Sequence, residues 1–139
     1  MSFKKTTGVL LLISLMLLVL GSVSVALAAP FQVMEKGSDQ YLADPNGMTL
    51  YYFLKDASGN TACTGQCLDR WPVFYTESVM VPTAMDAREF GVITRSDGKR
   101  QSTFRGWPLY YWAGDRAPGQ TNGHKVNDVW FYVTNPYSY

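Results

Sequence analysis

The sequence has few of the residues on which most catalytic and metal sites depend. Its 139 residues include one histidine and two cysteines, and 12 basic residues nearly balance 11 acidic ones. Without a basic stripe or a run of one charge, nucleic acid and anionic membrane surfaces are poor partners. The motifs Gly-x-Ser-x-Gly and His-Glu-x-x-His are missing, and so is a glycine-rich phosphate loop. We therefore expect a protein that is not an enzyme and binds no nucleic acid.

The start of the chain has the pattern of a secretory signal peptide. Lys4 and Lys5 precede a long apolar run, which ends in the small residues Ala26 and Ala28 that a signal peptidase reads. An uncleaved membrane anchor is the alternative, because 8–28 is long enough to span a bilayer. No cysteine stands directly after the apolar run, so a lipid anchor is not expected.

These features predict the organisation of the chain and its location. We expect a signal peptide at 1–28, an N-terminal linker at 29–38 and a single domain at 39–139. The product is expected to be exported, either to the periplasm or to the medium. It would contact the membrane only if the signal segment stays uncleaved.

An internal repeat is the clearest feature of the predicted domain. The phrase "GMTLYYFLKD", Gly47 to Asp56, returns 59 positions later as "GWPLYYWAGD", Gly106 to Asp115. The same offset places Trp71 on Trp130. Two copies are too few for a solenoid, which needs more units to bury a continuous face. We therefore expect one pseudo-symmetric domain with repeats at about 40–76 and 90–134.

Alternating apolar residues and turn signals predict a mainly β fold of two β-hairpin repeats, with one or two short helices. In the first repeat "DQYLAD" and "MTLYYFL" are expected to be strands around the turn "DPNG". In the second repeat "EFGVITR" and "RQSTFR" flank the turn "SDGK", and "GWPLYYW" and "VWFYVT" follow as strands. Short helices are expected in "TGQCLDRW" and in "PTAMDAREF", where Thr83 is the predicted N-cap.

Taken together, the motifs resemble one bacterial family. The twofold Tyr-x-aromatic-x-x-Asp phrase, the "CTGQCLDRWP" segment and the "GWPLYYW…D" run are similar to the secreted repeat of unknown function, also described as predicted lipoproteins. The resemblance covers about 40–133. It implies an exported repeat protein and does not imply an activity. The missing lipidation cysteine departs from the lipoprotein members of that family.

The repeated phrase has a structural interpretation and a functional one. In a strand Leu50 and Tyr52 face one side and Tyr51 and Phe53 the other, so both sides should be covered. The structural interpretation makes the aspartates turn-closing acceptors and makes Trp71 and Trp130 core residues. The repeat motif then consists of Tyr51, Phe53, Asp56, Tyr110, Trp112 and Asp115. In the functional interpretation, Tyr51 and Tyr110 line a groove with Trp107 or Trp112 for a sugar, a peptide or a flat cofactor.

The cysteines and the histidine allow two further hypotheses. In an exported protein Cys63 and Cys67 are most simply a disulfide. The alternative is a haem or copper site that uses His124 or a methionine, although His124 is expected far from the cysteines. Asp69 and Asp128 could form a carboxylate pair for glycoside chemistry, but each precedes a tryptophan as a cap or turn residue would.

We therefore predict a non-catalytic exported protein of the cell envelope or medium without a cofactor. It would bind an unknown envelope or extracellular ligand, or it would self-associate. A haem- or metal-binding envelope protein in electron transfer or metal supply is the alternative function.

Overall fold

The computed structural model describes 31–78, 80–83 and 85–136. The predicted signal peptide, 1–28, lies outside the described residues. Within the described ranges, no helix is long and apolar enough to cross a membrane.

The fold is mainly β, as predicted, and all of its strand pairs are antiparallel. Over the described residues, the helical content is one short α-helix, α1 (Cys67–Arg70), and two 3₁₀ turns, Ala87–Glu89 and Val126–Asp128. The strands are β1 (Gln32–Lys36), β2 (Asp39–Ala43), β3 (Tyr51–Phe53), β4 (Phe90–Thr94), β5 (Arg100–Phe104), β6 (Trp107–Pro108) and β7 (Trp130–Tyr132).

Each repeat begins with a hairpin. Strands β1 and β2 pair along their whole length around a two-residue loop, in which Gly37 has a φ of +62° that suits such a turn. Strands β4 and β5 form the matching hairpin of the second repeat. The prediction of a linker at 29–38 is therefore wrong for 32–36, which is the first strand of the first repeat.

The misplaced linker has a physical explanation. Phe31 is buried, and its ring centroid lies 4.3 Å from that of Phe90, its counterpart 59 positions later. Val33 is partly buried against the same cluster. Alternate apolar residues therefore mark a half-buried strand, although the pattern is short and ends in charged residues.

The two repeats interlock at a pseudo-twofold axis between Tyr51 and Tyr110. The backbone N–H of each tyrosine donates to the carbonyl of the other, and both N–O distances are 2.9 Å. Strand β3 pairs with β7 of the second repeat. In the matching position, Tyr110 bridges to Val73 of the first repeat. Neither repeat is therefore a separate unit.

This interlocking changes the partner of one predicted strand. The turn at 44–47 closes as expected, since the Gly47 N–H donates to the Asp44 carbonyl over 2.9 Å. Leu50 still bonds back to Leu42, but the following residues leave the hairpin and pair with β7. The strand predicted at 48–54 therefore belongs half to the hairpin and half to the contact between repeats.

The core has two parts, one on each side of the motif strands. One cluster contains Leu50 and Leu109, with Tyr52 and Tyr111 packed against it. The other contains Tyr51, Phe53 and Tyr110, with Trp112 packed against it. The predicted alternation is confirmed, and both sides of the motif strands are covered.

The short helices lie where the sequence predicts helical turns. Helix α1 ends before Pro72, with Trp71 as its C-cap residue. The 3₁₀ turn Ala87–Glu89 is capped by Asp86, whose side chain accepts from the Arg88 N–H. The prediction of Thr83 as the N-cap is wrong, because Asp86 directly precedes the turn and its carboxylate accepts the capping bond.

Candidate functional site

The repeated tyrosines and aspartates form bonds that cross between the repeats. The Tyr51 hydroxyl donates to Asp115 Oδ2 over 2.6 Å, and the Tyr110 hydroxyl donates to Asp56 Oδ2 over 2.8 Å. Both tyrosines are fully buried and both aspartates nearly so. We call Tyr51–Asp115 and Tyr110–Asp56 the crossed pairs.

The second oxygen of each aspartate binds the backbone. Asp56 Oδ1 accepts from the Ala62 N–H over 2.6 Å, and Asp115 Oδ1 accepts from the Asn122 N–H over 2.9 Å. The aspartates thus close the following turns, as the structural interpretation predicts. Burial raises the pKa of Asp56 above its ordinary value, although these donors oppose the shift. Burial also raises the pKa of Tyr51 and of Tyr110, so both hydroxyls stay protonated at neutral pH.

Four aromatic rings from both repeats stack into a continuous row, which we call the aromatic column. Its centre is Trp71 against Trp130, with centroids 3.7 Å apart and planes 5° apart. Phe53 stacks on Trp130 with centroids 4.1 Å apart, and Trp112 packs against Trp71 at 4.3 Å with its plane tilted by 38°. The counterpart residues Trp71 and Trp130 therefore meet in the middle of the column. The second ring that packs against each indole comes, in each case, from the other repeat: Phe53 next to Trp130, and Trp112 next to Trp71.

The groove predicted from Tyr51, Tyr110 and Trp112 does not form. The two tyrosines have no exposed surface, and Trp112 packs on the column. The repeated motif residues are therefore placed as core and as hydrogen-bonding pairs within the domain.

The cysteines form the predicted disulfide, Cys63–Cys67. The Cys63 carbonyl accepts from Arg95 Nη2 over 2.6 Å, and Gln101 accepts from Nη1 of the same guanidinium over 2.5 Å. Arg95 is almost fully buried, and its counterpart in the first repeat is Lys36, which donates to Thr121. The sequence gives no sign of this role, because Arg95 stands just before a turn like many exposed arginines.

The ring and hydrogen-bond contacts of the His124 side chain are with Phe131 and Tyr132, and none among the described residues is with a cysteine. Its ring stacks on Tyr132 at 3.7 Å, and its Nδ1 accepts from the Tyr132 N–H over 3.3 Å. In the part of the chain that the structure describes, no three His, Cys, Asp or Glu side chains are grouped as metal ligands would be. Asp69 and Asp128 are both exposed, so neither is held in a buried acid–base site.

His124 gives the domain a predictable pH dependence. Desolvation lowers the pKa of His124 below 6.5, and the charges of Lys125 and Lys36 add to the shift. Between its folded pKa and 6.5, the folded chain holds fewer protons than the unfolded chain. The free energy of unfolding should therefore rise with pH in that window and fall as the pH drops below 6.5.

Urea unfolding between about pH 5 and 7 measures this effect. His124→Gln should remove the part of the slope that belongs to the imidazole. An unchanged slope in the variant would assign the pH dependence to other groups. Asp56 contributes with the opposite sign and at lower pH, because its pKa is raised from 3.8.

An open groove of about 320 Å³ lies beside the motif strand of the first repeat. Its floor and walls are mainly apolar and aromatic, and its lining residues are Tyr52, Leu54, Phe104, Arg105, Trp107, Val133, Thr134 and Pro136. Leu54 is 47% exposed and adds apolar surface to this groove. Of the predicted groove residues, only Trp107 lines this groove.

The equivalent tyrosines Tyr52 and Tyr111 have different surroundings. The Tyr111 hydroxyl donates to Asp44 Oδ2 over 2.9 Å, and its ring packs edge-on against Phe74. Tyr52, its counterpart, lines the groove instead, and among the described residues its hydroxyl has no hydrogen-bond partner. The motif gives no signal for this difference, because it has tyrosine at both positions.

A second opening of about 560 Å³ lies near helix α1, lined by Leu68, Pro72, Val73, Tyr75, Lys99 and Arg100. The Arg100 guanidinium in its lining already interacts with other residues of the domain. The Arg100 guanidinium lies 4.7 Å from the centre of the Tyr75 ring and 3.1 Å from Glu77 Oε1. The first groove is therefore the better candidate site.

Comparison with known proteins agrees with the repeat geometry. The family described as "secreted repeat of unknown function" matches at 33–75 and again at 91–134. The first match includes most of β1, in agreement with the hairpin that begins each repeat. No curated protein and no solved structure matches the chain. Because the two matches cover more than half of its length, the chain belongs to this family of secreted repeats.

Proposed function

We propose that this exported domain is a non-catalytic binding protein of the cell envelope or the medium, and that its ligand occupies the groove beside Tyr52. The observation that carries the proposal is the contrast between Tyr52 and Tyr111. One hydroxyl is bonded inside the domain, and its counterpart lines an open groove without a described partner.

The surroundings of the groove support binding. Apolar grooves with a few polar groups are the usual form of small-ligand sites. Leu54 and the half-buried rings of Tyr52 and Trp107 present apolar surface, and Thr134 adds an exposed hydroxyl. The crossed pairs do not offer an acid–base couple to a substrate, because both carboxylates are buried and engaged with tyrosine and backbone donors.

The haem or metal alternative stays a prediction. No described contact of His124 favours it over binding in the groove, since its Nδ1 accepts a backbone bond and its ring stacks on Tyr132. An absorption spectrum and elemental analysis of the exported protein test it directly. The absence of a cofactor remains a prediction of the same kind.

Co-sedimentation with washed cell envelopes tests the proposed function. We expect saturable retention of the exported protein, and a loss of about tenfold or more in affinity for Leu54→Asp, since a carboxylate in the apolar groove disfavours its occupant. Val92→Asp is the matched control, because Val92 is 40% exposed and is not part of the groove lining.

Equal retention of the three proteins, or retention of none, would contradict the proposal. Sedimentation equilibrium on the same three proteins tests whether the groove is occupied by a second copy of the chain. A dimer that Leu54→Asp dissociates would make the occupant a second copy of the chain.

A further inference from the structure

We propose that the groove binds a short segment of a neutral glycan chain and prefers N-acetylated sugars. This inference rests on the proposed function and specifies its ligand. The ring surfaces, the uncharged polar groups and the apolar wall of the groove support it.

The two rings of the groove offer stacking surfaces. Tyr52 and Trp107 are half-buried, with centroids 5.8 Å apart and planes 60° apart. They form a wedge that is anchored on one side by Phe131, whose ring lies 6.0 Å from that of Tyr52. Rigid tyrosine and tryptophan rings bury large area at low entropic cost, and the apolar C–H face of a pyranose suits such surfaces.

The polar groups of the groove are mainly neutral. Among the described residues, the Tyr52 hydroxyl, the Trp107 indole N–H and the Thr134 hydroxyl have no hydrogen-bond partner. Together they can donate and accept, as sugar hydroxyls require. Arg105 is the charged member of the lining, and it is paired with Glu89 over 2.8 Å. The groove therefore favours a ligand without net charge.

The apolar wall explains the preference for N-acetylated sugars. Leu54, Val133 and Pro136 line the groove together with the rings. An acetamido methyl group would find an apolar contact there, whereas a plain hydroxyl would lose hydration without a partner. The volume of about 320 Å³ lies at the lower end of small-ligand sites.

A proline-rich peptide is the competing occupant, because such peptides also dock on aromatic grooves. The groove fits a sugar better. A polyproline segment lacks backbone N–H groups, and so it would leave the acceptor capacity of the Tyr52 and Thr134 hydroxyls unused.

Calorimetric titration of the exported protein tests the inference with three probes. These are a β-1,4-linked hexamer of N-acetylglucosamine, the corresponding glucose hexamer and a decaproline peptide. We expect the first to bind about tenfold more tightly than the second, and the third not to bind. Trp107→Ala should weaken binding by about tenfold, and Tyr52→Phe by a smaller factor.

Tyr111→Phe is the matched control, since it removes the hydroxyl at the same motif position of the other repeat, outside the groove. Leu54→Asp should abolish binding. Because Leu54 is exposed, this variant provides a second test of the groove if Trp107→Ala does not fold. Glycan binding that is equally strong in Tyr52→Phe, Trp107→Ala and Leu54→Asp would overturn the assignment to this groove. Decaproline binding that depends on Trp107 would replace the sugar by a peptide.

The two proposals fail in different ways. If Leu54→Asp loses envelope retention but the unaltered protein binds neither sugar, the groove is a binding site and the glycan assignment is wrong. If the protein is not retained by envelopes and binds no probe, both proposals are wrong.

Discussion

Replacing Trp130 by alanine is expected to lower the free energy of unfolding by about 3–5 kcal/mol, and Trp71→Ala should do the same. Each indole packs against two other rings of the column, Trp130 against Phe53 and Trp71, and Trp71 against Trp130 and Trp112. Removing either one opens a cavity in the middle of the column and leaves its neighbours without a stacking partner. The loss is a large share of the stability of a small domain.

Thermal and urea unfolding measure this prediction. Trp107→Ala is the control, because this tryptophan is half-buried beside the groove and lies outside the column. We expect a clearly smaller loss for the control. A Trp130→Ala protein that is as stable as the unaltered chain would show that the column contributes little to the fold.

The second large effect is expected at the crossed pairs. Tyr51→Phe and Tyr110→Phe should each cost about 1.5–3 kcal/mol, since each hydroxyl bonds to a buried carboxylate. Tyr52→Phe, in the same strand, should change stability by less than about 0.5 kcal/mol, because its hydroxyl has no described partner.

Double-mutant cycles identify which repeat supplies the partner. Tyr51→Phe should couple strongly with Asp115→Asn, 64 positions away, and weakly with Asp56→Asn in its own repeat. Coupling to Asp56 instead of Asp115 would contradict the crossed arrangement. Tyr110→Phe provides the reciprocal cycle, with Asp56 as its expected partner.

Much of the fold follows from local sequence patterns. The alternation of Leu50 and Tyr52 with Tyr51 and Phe53 correctly predicts two covered faces. Turns at Asp-Pro-Asn-Gly and Ser-Asp-Gly-Lys are also correct, because these residues favour a tight turn wherever they occur. Strand β1 was missed because its apolar alternation is brief.

The partners of the repeated side chains could not be predicted. The offset of 59 positions identifies counterparts, but it does not say whether Tyr51 binds the aspartate of its own repeat or of the other. Likewise, Tyr52 and Tyr111 have the same sequence context and different surroundings. The position of Asp44, which is set by the folded chain, decides which hydroxyl is bonded.

The crossed pairs also have a consequence for how such a domain could have arisen. A chain with one repeat would have a tyrosine without its aspartate and half of the column, so it could complete these contacts only with a second molecule. Two identical copies would satisfy both pairs with exact twofold symmetry. Joining the copies in one chain makes their association intramolecular, so that the fold no longer depends on the protein concentration. Joining the copies also allows the sequence of each copy to change separately. Tyr52 and Tyr111 show the result, because the same residue lines a groove in one repeat and bonds to Asp44 in the other.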